Sequence, residues 1–348
     1  MPKRILNLDA SLLLPWPEDI SSTYDLNELE RVKLGKLISV FKASIDAPSK
    51  EESATKLSQA YSMLGSLETF FSHKYLTFSG SLKKGEIEDY DFYFDVKRSQ
   101  TKKSPVFLVI RSILMAYKTF LNMRYFSQNN GVDDPHKALL IWKRYHWLFF
   151  VFTQGNILCL LHFKKEMRKE NMVQVGAILI SMSRLMLASG ASMLFAGESQ
   201  PQEYESKVRP TMMPPNVNSP DFSGMMSYDH AYLINSWNKE KELFKLIPSF
   251  LRPAYEEFLD SHQFLALAHK FVCHKYGGDM TGSLREQRVT ALETLEKINA
   301  SRRRAIIISD RQLLNPDSRL RLTEESEYEE YVKSGLKCYI QLLIKSCN

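Results

Sequence analysis

The amino-acid sequence predicts an all-α protein, and three observations lead to this prediction. Apolar residues recur at intervals of three and four over most of the chain, which is the period of an amphipathic helix. Prolines, glycines and short polar residues stand where such helices would begin and end. The chain has 348 residues, 44% of them apolar, which is enough for a large buried core. We therefore expect a single large helical domain over residues 1–348, with one minor β-hairpin.

The N-terminal part of the chain contains two predicted helices. Residues 26–47 form the first, with Asp25 as its N-cap. The second begins after Ser49, and its core stripe consists of Leu57, Tyr61, Leu64, Leu67 and Phe71. Neither helix carries evident chemistry.

The exception to the helical pattern is the segment 78–96, where aromatic and acidic residues alternate as in a short hairpin. Within it, Gly80-Ser81 followed by Asp89 and Asp91 resembles the nucleotidyltransferase signature, in which a Gly-Ser turn holds a triphosphate and two carboxylates bind magnesium. The gap between the two halves is short, and the next segment is helical where such domains need more sheet. An exposed hairpin is therefore favoured, and a nucleotidyltransferase-like protein is the alternative function.

The middle of the chain is strongly apolar. A helix is predicted from Pro105 to about residue 128, and residues 145–163 then contain no Lys, Arg, Asp or Glu. Nineteen such residues could span a membrane, but Gln154 and Asn156 at the centre would be costly in lipid. We expect a break between two buried helices at Gln154-Gly155-Asn156, and no membrane span.

Two histidines and a group of small residues lie in or after this apolar region. His146 and His162 are expected to be hydrogen-bonded core residues rather than ligands. Residues 172–196 form a further buried helix, in which Gly190, Ala191 and Ser192 permit close approach by a neighbouring helix or by a flat group such as haem. Close packing between helices is the favoured explanation.

Charge and cysteine content restrict the class of protein. The net charge of +6 is spread along helices, and only residues 302–304 form a basic cluster, so no nucleic-acid partner is expected. Four cysteines are too few for a disulfide framework in a chain of this length. Asp9, Pro15 and Pro17 interrupt the N-terminal apolar run before it could form a signal peptide. A cytoplasmic location is the expectation.

Residues 197–227 contain five prolines and no helical period, which indicates a long ordered loop or lid. This segment leads directly into His230. We expect the loop side to deliver that histidine to a pocket.

A long helix is predicted from Pro253 to Gly277-Gly278. It places His269 and Cys273 one turn apart, about 6 Å along the axis. That rise is close to the distance between a haem iron and a vinyl carbon, so one straight helix could supply both an axial imidazole and a thiol at the porphyrin edge. Such a pair is more often part of an ordinary core, so the spacing alone leaves both explanations open. Two more helices are predicted, over residues 283–300 and from Thr323 to the C-terminus.

The wider pattern is His230, thirty-eight intervening residues, His269, three residues and Cys273. It resembles the single-thioether haem motif of the 3-methyl-L-tyrosine hydroxylases (peroxygenases) of saframycin-type tetrahydroisoquinoline antibiotic pathways, which are relatives of the tryptophan dioxygenase superfamily. The HKFVC sequence around His269 and Cys273 fits that motif as well as the gap length does.

The resemblance implies a haem held between helices and the long loop, with iron bound by His230 and His269 and a thioether bond to Cys273. Two imidazoles leave no room for an oxidant, so one must dissociate. Cys273 would fix the porphyrin beside His269, so we assign His230 as the dissociable ligand that then acts as general acid and base. The family's reaction is hydroxylation of 3-methyl-L-tyrosine to 3-hydroxy-5-methyl-L-tyrosine with hydrogen peroxide, or dioxygen plus a reductant. The oligomeric state is open, with a homodimer among the options.

Overall fold

The computed structural model describes residues 28–71, 105–129, 137–212, 228–276 and 325–346. These residues contain helices and no strand, so the all-α prediction is confirmed. The predicted hairpin at 78–96 and the predicted helix at 283–300 lie outside the described residues. The long helices, numbered in chain order, are α1 (Glu28–Ile45), α2 (Lys50–Phe71), α3 (Pro105–Asn129), α4 (Lys137–Arg168), α5 (Met172–Ala196), α6 (Tyr228–Lys245), α7 (Arg252–Lys275) and α8 (Glu325–Ser346).

Several helix ends have the caps that the sequence predicts. The Ser49 hydroxyl accepts a hydrogen bond from the Glu52 backbone N–H at 3.1 Å, at the start of α2. Pro253 lies in the first turn of α7, where its missing N–H costs nothing. Helix α5 has the predicted bounds.

The predicted break at residues 154–156 is wrong, because α4 is one continuous helix of 32 residues. The Asn156 Nδ2–H donates to the Phe152 carbonyl one turn earlier at 3.1 Å, so this donor is paired within the helix. Gly155 lies against Leu185 and Tyr339, where a Cβ would approach the Leu185 side chain to 2.9 Å. Gly155 and Asn156 therefore lie within a continuous helix that packs closely on its neighbours, and they do not form a turn.

Helices α4 and α5 are long and apolar enough to cross a membrane by length and composition. However, 83% and 72% of their most apolar stretches are buried inside the protein. Partners within the fold cover these apolar faces, as expected of core helices.

Helices α4 to α7 form two hairpins that pack side by side. In α4 and α6, Phe163 stacks on Phe244 with ring centroids 4.6 Å apart, and Lys164 pairs with Glu240. These contacts, together with a bond between Gln154 of α4 and Asp229 of α6, proceed in the same direction along both helices. Helices α4 and α6 are therefore parallel.

Helices α5 and α7 are also parallel, and glycines of α5 and its C-cap bring them close together. A Cβ on Gly190 would lie 2.6 Å from the Phe264 ring and 3.3 Å from the Leu265 Cα. A Cβ on Gly197, directly after α5, would lie 2.8 Å from the Val272 side chain. The favoured explanation of Gly190, close packing between helices, is therefore confirmed.

The remaining described helices complete the core around this group. Helix α8 packs on α5, where Gly335 approaches Ala188. Tyr117 of α3 and Ser53 of α2 share a buried hydrogen bond of 2.8 Å between their hydroxyl groups.

Candidate functional site

Helices α6 and α7 form an antiparallel hairpin, and aromatic rings of one helix contact rings of the other. Trp237 meets His262 edge to face, with ring centroids 5.8 Å apart. Seven residues further along α6, Phe244 stacks on Tyr255, which lies seven residues before His262, with centroids 6.1 Å apart. Seven residues are close to two helical turns. Trp237 and Phe244 therefore lie on one stripe of α6, and Tyr255 and His262 lie on one stripe of α7.

This register relates the two candidate histidine ligands. One further step of seven residues leads from Trp237 back to His230 on α6, and from His262 forward to His269 on α7. The step is about 10.5 Å along either axis. On straight helices the same register would bring His230 and His269 to one level, on the two stripes that face each other.

His230 lies in the first turn of α6 and is buried, with 8% of its surface exposed. The expectation that it comes from a loop is therefore wrong, because a helix positions it. The preceding segment is also partly helical, since short helical turns occupy residues 201–212. Residues 213–227, the rest of the predicted lid, lie outside the described residues.

His269 and Cys273 both lie on α7 and are half-buried. Burial raises the pKa of the Cys273 thiol to about 11. The thiol is therefore protonated at neutral pH, and it differs from the acidified thiolates that serve as catalytic nucleophiles. Its surroundings include Tyr204, whose pKa is also raised by burial.

An apolar cluster adjoins this part of α7. Ala268, next to His269, is fully buried in it, and Tyr204 packs against its edge. Tyr204 also stacks on Tyr276 at the end of α7, with ring centroids 4.0 Å apart. The buried members of the cluster are Ala138, Trp142, Phe149, Phe150, Met193, Val208, Met212 and Ala268. This side of α7 is therefore apolar and enclosed.

His146 and His162 are hydrogen-bonded, as predicted, but both are half-buried and not fully enclosed in the core. The His146 Nδ1–H donates to the Trp142 carbonyl at 2.8 Å, and burial lowers the pKa of His146 to about 4. Burial also lowers the pKa of His162, which is hydrogen-bonded to the Leu342 backbone. Both imidazoles are therefore neutral at physiological pH.

Sequence reasoning missed one polar contact beside the candidate site. The Gln154 side-chain amide, on the fully buried face of α4, donates to the Asp229 carboxylate at 3.3 Å. Asp229 directly precedes His230. The two partners are 75 residues apart in the chain, so no spacing within one helix reveals the pair.

Within the described ranges, no three His, Cys, Asp or Glu side chains converge to hold a metal ion by themselves. A haem iron needs only one or two protein ligands, so this finding leaves the two-histidine arrangement untouched.

The family model described as SfmD 3-methyl-L-tyrosine peroxygenase matches residues 123–256. The matched segment includes His230 and ends before His269 and Cys273. A curated relative, the 3-methyl-L-tyrosine peroxygenase of Streptomyces lavendulae, is 29% identical over 161 residues. That alignment covers 44% of this chain and 42% of the relative, so the chain matches less than half of the relative's length. The resemblance predicted from the haem motif is confirmed by both matches.

A similar solved structure is the crystal structure of reduced SfmD, obtained by soaking with sodium hydrosulfite. It has a TM-score of 0.48 and 18% identity, and the match covers 75% of this chain and 98% of that chain. The comparisons give no support to the nucleotidyltransferase alternative, whose Gly80, Ser81, Asp89 and Asp91 lie outside the described residues.

Proposed function

We propose that this protein is a haem-dependent peroxygenase that hydroxylates the ring of 3-methyl-L-tyrosine to 3-hydroxy-5-methyl-L-tyrosine in antibiotic biosynthesis. The observation that carries the proposal is the register of the ring contacts between α6 and α7, Trp237 with His262 and Phe244 with Tyr255, which on straight helices would bring His230 and His269 to one level. The similarity to a 3-methyl-L-tyrosine peroxygenase supplies the substrate and the reaction class.

The residues present fit a haem group. Imidazole nitrogen is a common axial ligand of haem iron, and His230 and His269 supply two of them from opposite helices. Cys273 adds a sulfur one turn beyond His269, on the same side of α7. The apolar cluster beside Ala268 offers the surroundings that a porphyrin face requires.

Each of the three residues has its own role in the proposal. His269 would be the permanent iron ligand, because a single thioether bond to Cys273 would hold the porphyrin edge next to it. Before the thioether bond forms, burial raises the pKa of the Cys273 thiol, so the thiol would stay protonated and would not compete with imidazole as a thiolate ligand of the iron. His230, on the other helix, is the ligand that leaves.

Haem, when bound, supplies a redox-active iron that activates the oxidant. The free imidazole of His230 takes a proton from the entering hydrogen peroxide and returns it to the oxygen that departs as water. The second peroxide oxygen enters the ring ortho to the phenol hydroxyl, and the displaced ring hydrogen completes the hydroxyl group. Dioxygen with a reductant is the other oxidant that would serve.

The proposal also covers the organisation of the chain and its surroundings. Residues 1–348 act as one haem-binding domain, and the lid predicted from residues 197–227 stays a prediction. The partner is a small amino acid in the cytoplasm, and neither nucleic acid nor a membrane takes part.

The reaction is tested with purified protein, 3-methyl-L-tyrosine and oxygen-labelled hydrogen peroxide. We expect a product with one labelled oxygen on the ring, and no labelled product when phenylalanine, which lacks the phenol hydroxyl, replaces the substrate. A haem-loaded protein that adds no oxygen to 3-methyl-L-tyrosine would contradict the proposed reaction. A colourless protein stabilised by magnesium and nucleotide would instead favour the nucleotidyltransferase alternative.

A further inference from the structure

We infer that the hydrogen bond between Gln154 and Asp229 anchors the first turn of α6 to α4 and so holds His230 in place as an iron ligand. Both are positioning residues, because neither is part of the proposed ligand set. The inference rests on the proposed function, since it concerns the ligand that leaves during the reaction.

The buried amide of Gln154 is the first reason for assigning an anchor. Gln154 is fully buried in the middle of an otherwise apolar stretch of α4. Burying an amide costs free energy unless it is hydrogen-bonded, and its Nε2 donates to the Asp229 Oδ1 at 3.3 Å. A leucine would fill the same core position without that cost. The position of the amide therefore indicates a specific task at the α4–α6 contact.

The place of Asp229 is the second reason. A carboxylate is stabilised by the helix dipole in the first turn of α6, and water alone would satisfy it there. Asp229 is instead half-buried and directed at Gln154. Two further side-chain contacts join α4 and α6, Lys164 with Glu240 and Phe163 with Phe244, and they lie about 15 Å further along the axes. The Gln154–Asp229 bond thus ties down the end of α6 that carries His230.

Adjacent residues on a helix point in directions about 100° apart. Asp229 faces α4, so His230 is free to lie on the stripe that faces α7. A bond on one side of the first turn can therefore fix the backbone of His230 without blocking its imidazole. It follows that His230 leaves and returns by rotation of its own side chain while the first turn of α6 stays on α4.

Four variants separate this anchor from a general effect on the core. Gln154→Met and Asp229→Ala each remove the hydrogen bond, whereas Asp229→Asn keeps an oxygen that accepts from Gln154. The matched control is Asn156→Leu, which removes another buried amide of α4 whose hydrogen bond stays within its own helix. Asp229 is half-buried at the start of a helix, so its variants fold even if Gln154→Met does not.

The first measurement is cyanide binding to the ferric haem-loaded protein, since cyanide must wait for His230 to leave. We expect Gln154→Met and Asp229→Ala to bind cyanide about tenfold faster than wild type, which corresponds to about 1.4 kcal/mol. Their absorption spectra gain a five-coordinate component. Asp229→Asn and Asn156→Leu keep the wild-type rate and spectrum. Unchanged rates in Gln154→Met and Asp229→Ala, or an equal acceleration in Asn156→Leu, overturn the inference.

Hydrogen exchange of the backbone amides provides a readout that does not depend on haem. In Asp229→Ala, amides 231–234 of α6 are expected to exchange faster than in wild type, while amides near Phe244 keep their protection. If amides 231–234 are equally protected in wild type and in Asp229→Ala, the inference of an anchor is overturned, whatever the absorption spectra show. If the wild-type protein binds no haem but amides 231–234 still exchange faster in Asp229→Ala, the proposed function is contradicted. The anchoring of α6 by the Gln154–Asp229 bond is then still supported.

Discussion

At the scale of single residues, Cys273 combines a half-buried position with a pKa raised to about 11. A protonated thiol is a poor metal ligand, so binding of the iron is assigned to the imidazoles and not to Cys273. The spacing of His269 and Cys273 within one helix was readable from the sequence, because helical geometry alone fixes it. The pairing of Gln154 with Asp229 was not readable, because it depends on how α4 and α6 pack.

The tether is tested by Cys273→Ala. We expect acidic acetone to extract the haem from this variant, while its ferric spectrum keeps the features of imidazole ligation. Cys338→Ala is the control, because Cys338 is buried between α8 and α5 and its thiol donates to the Ser181 carbonyl. Equal retention of haem by wild type and Cys273→Ala after extraction would refute the thioether bond.

The dissociable ligand is tested by His230→Ala. Loss of this imidazole leaves His269 alone on the iron, so a five-coordinate ferric spectrum is expected. His274→Ala is the control, since His274 is exposed on α7 one residue after Cys273. An unchanged six-coordinate spectrum in His230→Ala would remove His230 from the ligand set.

At the scale of helices, the sequence predicted most boundaries well, because caps, prolines and apolar periods are local signals. It failed at residues 154–156, where polar residues resembled a break. The Asn156 side-chain N–H donates within α4 and the Gln154 side-chain N–H donates across to α6, and the helix continues through both residues. It also failed at His230, because the five prolines of residues 197–227 gave no indication of where the next helix begins.

The close packing of α5 on α7 is tested by a pair of glycine substitutions. In Gly190→Ala the added methyl group would lie 2.6 Å from the Phe264 ring, so we expect the free energy of unfolding in urea to fall by about 1–3 kcal/mol. In Gly35→Ala on α1, nothing lies within 4 Å of the new methyl group. This substitution should raise the free energy of unfolding by about 0.5–1 kcal/mol. Equal effects of the two substitutions would show that α5 and α7 are not in close contact at Gly190.

At the scale of the whole molecule, stability depends on a histidine, His146, that folding keeps in the neutral form. The pKa of His146 is lowered by burial to about 4, below the ordinary value of 6.5. The unfolded chain therefore binds this proton more tightly than the folded chain, and stability rises with pH between these two values. The sequence predicted the hydrogen-bonded state of His146 from its apolar surroundings, but not the strength of its desolvation, which depends on the packing of the whole core.

We therefore expect the free energy of unfolding to fall by up to about 3 kcal/mol between pH 7 and pH 4 on account of His146. His146→Asn, whose amide can still donate to the Trp142 carbonyl, should flatten this dependence. The control is a substitution that leaves every histidine in place, Gly35→Ala, which should leave the dependence as in wild type. Parallel pH profiles for wild type and His146→Asn would show that His146 is not held in the neutral form.

The measurement that tests the account most directly is the absorption spectrum of the purified ferric protein, recorded before and after extraction with acidic acetone. Two imidazole ligands and a thioether bond predict a low-spin Soret band and a haem that stays with the precipitated protein. A protein that binds no haem when haem is supplied, or a bound haem with a high-spin spectrum that passes entirely into the acetone, would contradict it.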